Sequence, residues 1–288
     1  MPAINTTLPS IWPVSEVVIF DCDSTLTTVE GIDELARLTD SAADVAALTR
    51  QAMDGALPLD AVYERRLDLS NPTRAQVRHV QRIYRENVVP DAPQVVRALQ
   101  DLGCQVFIVS GGLIEPVRDF GAWLGAPPDH IYAVEMEYDQ LAGQWWRYWE
   151  QVGGNNPHAN YLAVRENPLT RAGGKMNVVA SLLAEHPGRS ILVGDGLSDL
   201  EARDQVNLFV GFGGAVYRER VAREAPVYIR ALSLAPLLPL ALGRTAARVR
   251  PWSHLYAEGL WRIEQGEVTF NDPQLERAFT QAVLSSNS

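Results

Sequence analysis

Val17-Val18-Ile19-Phe20-Asp21-Cys22-Asp23-Ser24-Thr25-Leu26-Thr27 decides how the rest of the chain is read. Four apolar, mostly β-branched residues run directly into two carboxylates. So short and apolar a run predicts a strand buried on both faces, as inside a parallel sheet. Side chains alternate along an extended chain, so Asp21 and Asp23 are expected on one side and Cys22 on the other. Two carboxylates at the end of a buried strand repel each other and need a cation or a proton to coexist. The plainer reading is an Asp-rich turn in which Asp, Ser and Thr cap the next segment.

The bulk properties limit the choices. The chain has 288 residues, 47% hydrophobic and 21% charged, enough for one α/β core with an inserted or appended unit. A net charge of −10 argues against a nucleic-acid surface or an anionic-membrane binder, so no nucleic acid and no membrane are expected as partners. Cys22 and Cys104 lie in or beside apolar runs and read as buried free thiols. Residues 1–15 carry no Lys or Arg and read as a loose lead-in, not a secretory signal. The apolar stretch 232–242 is broken by Ser233, Pro236 and Pro239 and is too short to span a bilayer, so a cytoplasmic protein is expected.

The first strand is placed at 16–20, and from Glu30 the texture turns helical. Thr73-Arg74-Ala75-Gln76 has capping-box spacing before Val77, Val80, Ile83 and Tyr84. The helical stretch 29–87 exceeds a plain crossover and predicts an inserted helical cap. A helix near Pro93, closed by Gly103, precedes a second strand at 105–109, which ends in Ser110-Gly111-Gly112 before a helix over 113–124. A third strand at 190–193 ends in Gly194-Asp195-Gly196-Leu197-Ser198-Asp199. Short strands are expected at 208–211 and 227–229, with a helix near 215–223 between them. Alternating strands and helices predict an α/β fold with a mostly parallel, Rossmann-like sheet, whose ligands bind beyond the carboxyl ends of the strands. Asp21 with Asp23, Ser110, and Asp195 with Asp199 all fall at such ends.

Hydrolysis of a phosphate monoester is among the most strongly accelerated reactions, up to ~10²¹-fold. It needs a nucleophile, a proton donor, a metal and donors to the phosphoryl oxygens. Asp21 can attack and form an acyl phosphate, and Asp23 can protonate the leaving alkoxide and later deprotonate water. Asp195 can join an all-oxygen Mg²⁺ site. Ser110 with the Gly111 and Gly112 amides can form a phosphate nest, and Lys175, opening a helix after Gly173-Gly174, can neutralise nucleophile and phosphate. Taken alone, Lys175 reads as a solvated lysine.

Asp21-Cys22-Asp23-Ser24-Thr25, Ser110-Gly111-Gly112, Gly173-Gly174-Lys175 and the 194–199 motif resemble the four ordered motifs of the haloacid dehalogenase superfamily phosphatases. Glu30-Gly31-Ile32-Asp33-Glu34-Leu35-Ala36, Ala52-Met53-Asp54-Gly55, Glu64-Arg65-Arg66-Leu67 and Gly211-Phe212-Gly213-Gly214 resemble its phosphoserine phosphatase branch, over residues 16–232. The resemblance implies Asp21 as nucleophile and Asp23 as acid/base. Asp21, the Asp23 carbonyl and Asp195 would hold Mg²⁺, with Asp199 supporting. Ser110, Gly111, Gly112 and Lys175 would bind phosphate. Glu30 would take the substrate ammonium, Arg66 its carboxylate, and Met53 would line the cap side. Arg218 would lie within reach of the site. An intra-cap salt bridge is the structural alternative for Glu30 and Arg66. Ser198 stands where many relatives have Asn or Thr, and its hydroxyl retains hydrogen-bonding capacity.

The implied organisation is a core of 1–28 and 88–232, a cap of 29–87 and a C-terminal extension of 233–288. The core carries an unusually long 135–168 insert. Within it, 136–138 and 144–149 are expected to form a hairpin around 139–143, with the Trp cluster packing a small sheet or covering the core, and stacking on a ligand as the alternative. In the extension, 261–263 and 267–270 are expected to flank Gly266 as a hairpin, and Asp272-Pro273 to start a helix. Insert and extension could each reshape substrate choice or make a homodimer contact. The expected substrate is a small phosphomonoester, phosphoserine first. The alternatives are another small phosphorylated metabolite, phosphotransfer to an acceptor hydroxyl, or a phosphoaspartate signalling module. Asp23, a water-activating base beside the acyl phosphate, argues against the last.

Overall fold

The computed structural model describes residues 12–53, 59–139 and 156–285. In chain order, strand β1 (Val17–Phe20) leads into four helices: α1 (Gly31–Leu38), α2 (Ala42–Met53), α3 (Leu59–Ser70) and α4 (Arg74–Glu86). Then come α5 (Ala92–Asp101), β2 (Gln105–Leu113), α6 (Ile114–Leu124), β3 (Ile131–Val134) and the short strands β4 (Met136–Tyr138) and β5 (Tyr161–Val164). The chain continues through α7 (Gly174–Glu185), β6 (Ser190–Gly194), α8 (Leu197–Glu201), β7 (Leu208–Phe212), α9 (Glu219–Glu224) and β8 (Val227–Ile229). It closes with α10 (Leu237–Leu242), α11 (Ser253–Glu264), β9 (Val268–Phe270) and α12 (Pro273–Phe279).

Seven strands form one sheet in the order β3-β2-β1-β6-β7-β8-β9, parallel except for β9. β1 is central and wholly buried. Its alternation divides the core: Val18 and Phe20 join a cluster with α5, α6 and α10, while Val17 and Ile19 join one with α7 and α8. The capping box at α4 is present, with Thr73 N–H donating to Gln76 Oε1 at 2.8 Å and Gln76 N–H to Thr73 Oγ1 at 3.3 Å. Among the described residues no helix is long and apolar enough to cross a membrane.

Several local expectations are corrected. β3, at the sheet edge, has no counterpart in the sequence reading because its four residues come after a Pro-rich turn without alternation. β2 continues through Ser110, Gly111 and Gly112 to Leu113, so these residues end a strand and do not open a helix. β4 pairs antiparallel with β5; the partner expected at 144–149, with the Trp cluster, lies outside the described residues. No hairpin surrounds Gly266. Trp261, Arg262 and Ile263 belong to α11, and β9 pairs with β8. α11 buries Leu255, Tyr256, Gly259 and Ile263 on one face, so helical packing overrides the β-like look of three residues.

The lead-in is anchored from Trp12 onward. Its indole donates to Leu240 O at 2.7 Å, and its ring meets Phe279 edge-on at 5.0 Å. Asp91 ties the extension to α5 by accepting from Ser233 Oγ at 2.5 Å, Leu234 N at 2.9 Å and Ala235 N at 3.0 Å. α12 starts where expected, with Asp272 accepting from Gln274 N at 2.8 Å.

Candidate active site

The register of the sheet sets Asp21 one residue beyond the β1 positions that pair with Ile108 and Val193, so its neighbours are the ends of β2 and β6. The Asp21 amide donates to Val193 O at 2.9 Å, and its Oδ1 accepts from Cys22 N at 2.7 Å. Lys175, in the first turn of α7, reaches Asp21 Oδ1 at 3.1 Å and Asp199 Oδ1 at 2.7 Å. It is 4% exposed, so the solvated reading does not hold. Gly174 lets α7 start here, since a Cβ would fall 1.6 Å from Pro168 O. Burial works against the Lys175 ammonium, but Asp199 and Asp21 outweigh it and hold its pKa above the ordinary lysine value.

Asp195 comes directly after β6, and Asp199 lies in the first turn of α8. With Asp21 they offer carboxylate oxygens within 4.8 Å of one another. Burial raises Asp195 to about 6, helped by Asp21 and opposed by Arg218. Burial also raises Asp199 to about 8 against the pull of Lys175. Asp199 sits tightly under β6, where a Cβ on Gly194 would lie 2.2 Å from its carboxyl carbon. Buried carboxylates whose charges oppose one another are relieved by a divalent cation, and an all-oxygen donor set suits a hard one.

β1 ends at Phe20, so Asp21 and Asp23 lie in the segment directly after the strand. Beyond Phe20 the chain turns, with Leu26 N–H donating to Cys22 O at 2.9 Å and Ser24 at φ 53°. Asp23 is held by the helices that come after β1, and the Asp21 charge also reaches it. Its Oδ1 accepts from Tyr84 Oη at 2.6 Å and from Gly31 N at 2.9 Å. A Cβ on Gly112 would lie 2.7 Å from its Oδ2. Burial, then the Glu30 charge, raise the Asp23 pKa well above the usual carboxylate range. Ser110 is fully buried and accepts from Gly112 N at 2.9 Å.

Glu30 precedes α1 and accepts from Ser24 Oγ at 2.8 Å. Its ionic partner is Arg218 (3.1 Å), which also donates to Asp195 Oδ2 at 2.8 Å. Arg66 stands apart from this network. It lies over Tyr63 at 5.9 Å, its Nε is buried, and it has neither an ion pair nor a hydrogen bond among the described residues. Ser198 is exposed in the first turn of α8. Met53 ends α2, and its side chain lies outside the described residues.

Two tyrosines went unread as site residues. Tyr63 of α3 donates to Gly111 O at 2.8 Å, linking the helices after β1 to the end of β2. Tyr84 passed as one more member of the apolar face of α4. A phenol on a fully buried face needs a polar partner, and that was the available signal.

A haloacid dehalogenase-like hydrolase family model matches residues 18–203. Phosphoserine phosphatase of Mus musculus is 33% identical over 226 residues, 78% of this chain and 93% of that protein. That of Drosophila melanogaster is 35% identical over 221 residues, 75% and 74% of the two chains. A solved phospho-aspartyl intermediate analogue of phosphoserine phosphatase aligns with TM-score 0.63 at 21% identity, covering 78% of this chain and 98% of that one. A Salmonella enterica HAD family hydrolase aligns with TM-score 0.68 at 21% identity, covering 82% and 73%. With the sheet, the order of its polar strand ends and these relatives in agreement, the chain belongs to the haloacid dehalogenase-like hydrolase family and most resembles its phosphoserine phosphatases.

Proposed function

We propose that the chain hydrolyses O-phosphoserine to serine and phosphate through an aspartyl phosphate, with Mg²⁺ at the Asp21, Asp195 and Asp199 carboxylates. The carrying observation is that Asp21 and Ser110 lie at the ends of adjacent strands and that buried Lys175 reaches Asp21 from the first turn of α7. Lys175 and the Cys22 amide both engage Asp21 Oδ1, which leaves Oδ2 to attack phosphorus. The P–O ester bond breaks, its electron pair leaves on the serine oxygen, and Asp23 supplies the proton. Water then attacks the acyl phosphate, Asp23 takes its proton, and phosphate departs as Asp21 is restored.

Bound Mg²⁺ would neutralise charge on the phosphoryl oxygens. The carbonyl of Asp23 would complete its protein ligands, since the Asp23 side chain is held elsewhere by Tyr84 and Gly31. Ser110 and the Gly111 and Gly112 amides would bind phosphoryl oxygens. Glu30 would receive the substrate ammonium, exchanging Arg218 for it, and Arg66 would grip the carboxylate. The test is phosphate release from a panel holding phosphoserine, phosphothreonine, sugar phosphates, nucleotides and an aryl phosphate, with Asp21→Asn as control. A phosphoserine preference lost in the control is expected. Preference for another ester would overturn the substrate, and no release would overturn the chemistry.

A further inference from the structure

Tyr84 is fully buried in α4, and its hydroxyl donates to Asp23 Oδ1 at 2.6 Å. The Gly31 amide donates to the same oxygen at 2.9 Å. Two donors from two helices therefore converge on one oxygen of the carboxyl group, while the other is left toward Gly112 and the Ser110 end of β2. The arrangement is tightly built. A Cβ on Gly31 would lie 2.1 Å from the Tyr84 hydroxyl, so only glycine lets the phenol approach. A Cβ on Gly112 would lie 2.7 Å from Asp23 Oδ2, so glycine also keeps the opposite side open.

We propose that Tyr84 is a positioning residue for proton transfer: with the Gly31 amide it occupies Asp23 Oδ1 and so assigns the transferable proton to Oδ2. A proton on Oδ1 would face the Tyr84 O–H, which has no other partner among the described residues and would be orphaned in a buried position. A proton on Oδ2 leaves both donors satisfied. When the ester bond breaks and its electron pair departs on the alkoxide oxygen, that proton passes from Oδ2 to the oxygen. The resulting Asp23 carboxylate keeps both hydrogen bonds on Oδ1. Because α4 supplies the phenol, the orientation of the acid depends on how α4 is seated. Arg74 and Arg78 of α4 both pair with Glu115 of α6, at 2.8 and 2.9 Å, and hold it there.

This inference rests on Asp23 as the acid, and the experiment separates the two. Tyr84→Phe removes only the hydroxyl and keeps the ring against Phe120, 5.5 Å away. The readout is kcat/KM for phosphoserine relative to 4-nitrophenyl phosphate, whose leaving group needs little protonation. kcat/KM reports steps up to departure of that group, so the shared hydrolysis of the acyl phosphate drops out. Asp23→Asn should lower the ratio by about 10²-fold or more, the range for a general acid. Tyr84→Phe should lower it roughly tenfold, part of that range. Gly31→Ala, which displaces the hydroxyl, should lower it in the same direction. A buried phenol with only a packing role would cut both substrates equally, and that result, or an unchanged ratio in Tyr84→Phe, overturns the proposal. If Asp23→Asn leaves the ratio unchanged, the acid assignment falls and the proposal with it.

Discussion

Arg66→Ala tests how the substrate is read. The Arg66 guanidinium makes no ion pair among the described residues, and its Nε is buried without a hydrogen bond among them. The desolvation cost of that donor is therefore met on folding, and among the described residues no pairing must break before a carboxylate is received. A charge-assisted, bidentate contact under these conditions is worth about 2–4 kcal/mol. That corresponds to roughly 30- to 1000-fold in kcat/KM. An exposed pair would give less than ~1 kcal/mol. The assay compares phosphoserine with phosphoethanolamine, which keeps the ammonium and phosphate but lacks the carboxylate. We expect Arg66→Ala to cut kcat/KM for phosphoserine by that factor, mainly through KM, and to change phosphoethanolamine less than about threefold, the effect of an exposed pair. The unfolding midpoint should hold, because no ion pair among the described residues is lost. Equal losses on the two substrates would refute the assignment.

Lys175→Met should abolish turnover. It should also destabilise the protein by about 3–5 kcal/mol in denaturant unfolding without added metal, because Asp21 and Asp199 lose their buried cation. Chelation of divalent cations should remove activity and added Mg²⁺ restore it, while circular dichroism shows the fold retained; activity persisting through exhaustive chelation would contradict the metal site. Gly194→Ala should cost about 1–3 kcal/mol and weaken metal activation, as its methyl would displace Asp199. Asp91→Ala should lower stability by about 2–4 kcal/mol in the same unfolding assay, since it orphans the donors of Ser233 and Leu234 and leaves the Ala235 amide only Ser233 Oγ.

Some of this molecule was written in local sequence. Val17 to Phe20 are apolar without interruption because β1 is central and covered on both faces, so the strand and the parallel sheet were legible. The placement of Asp21, Ser110 and Asp195 at strand ends and of Lys175 at a helix start was legible because each carries short, stereotyped spacing. Alternation served only as far as Phe20, where β1 ends; past it the chain turns, and Tyr84 and the Gly31 amide hold Asp23. Only the tertiary structure decided which side chains meet. Glu30 pairs with Arg218, 188 positions away, and not with Arg66. β9, from the extension, pairs with β8 where local sequence suggested a self-contained hairpin. Tyr84 turned from an apolar face residue into a hydrogen-bond donor to Asp23. The physical reason is common to all three. Propensity and periodicity act over a few residues, whereas burial, countercharge and hydrogen-bond partners are supplied by whatever the packed sheet and helices bring alongside.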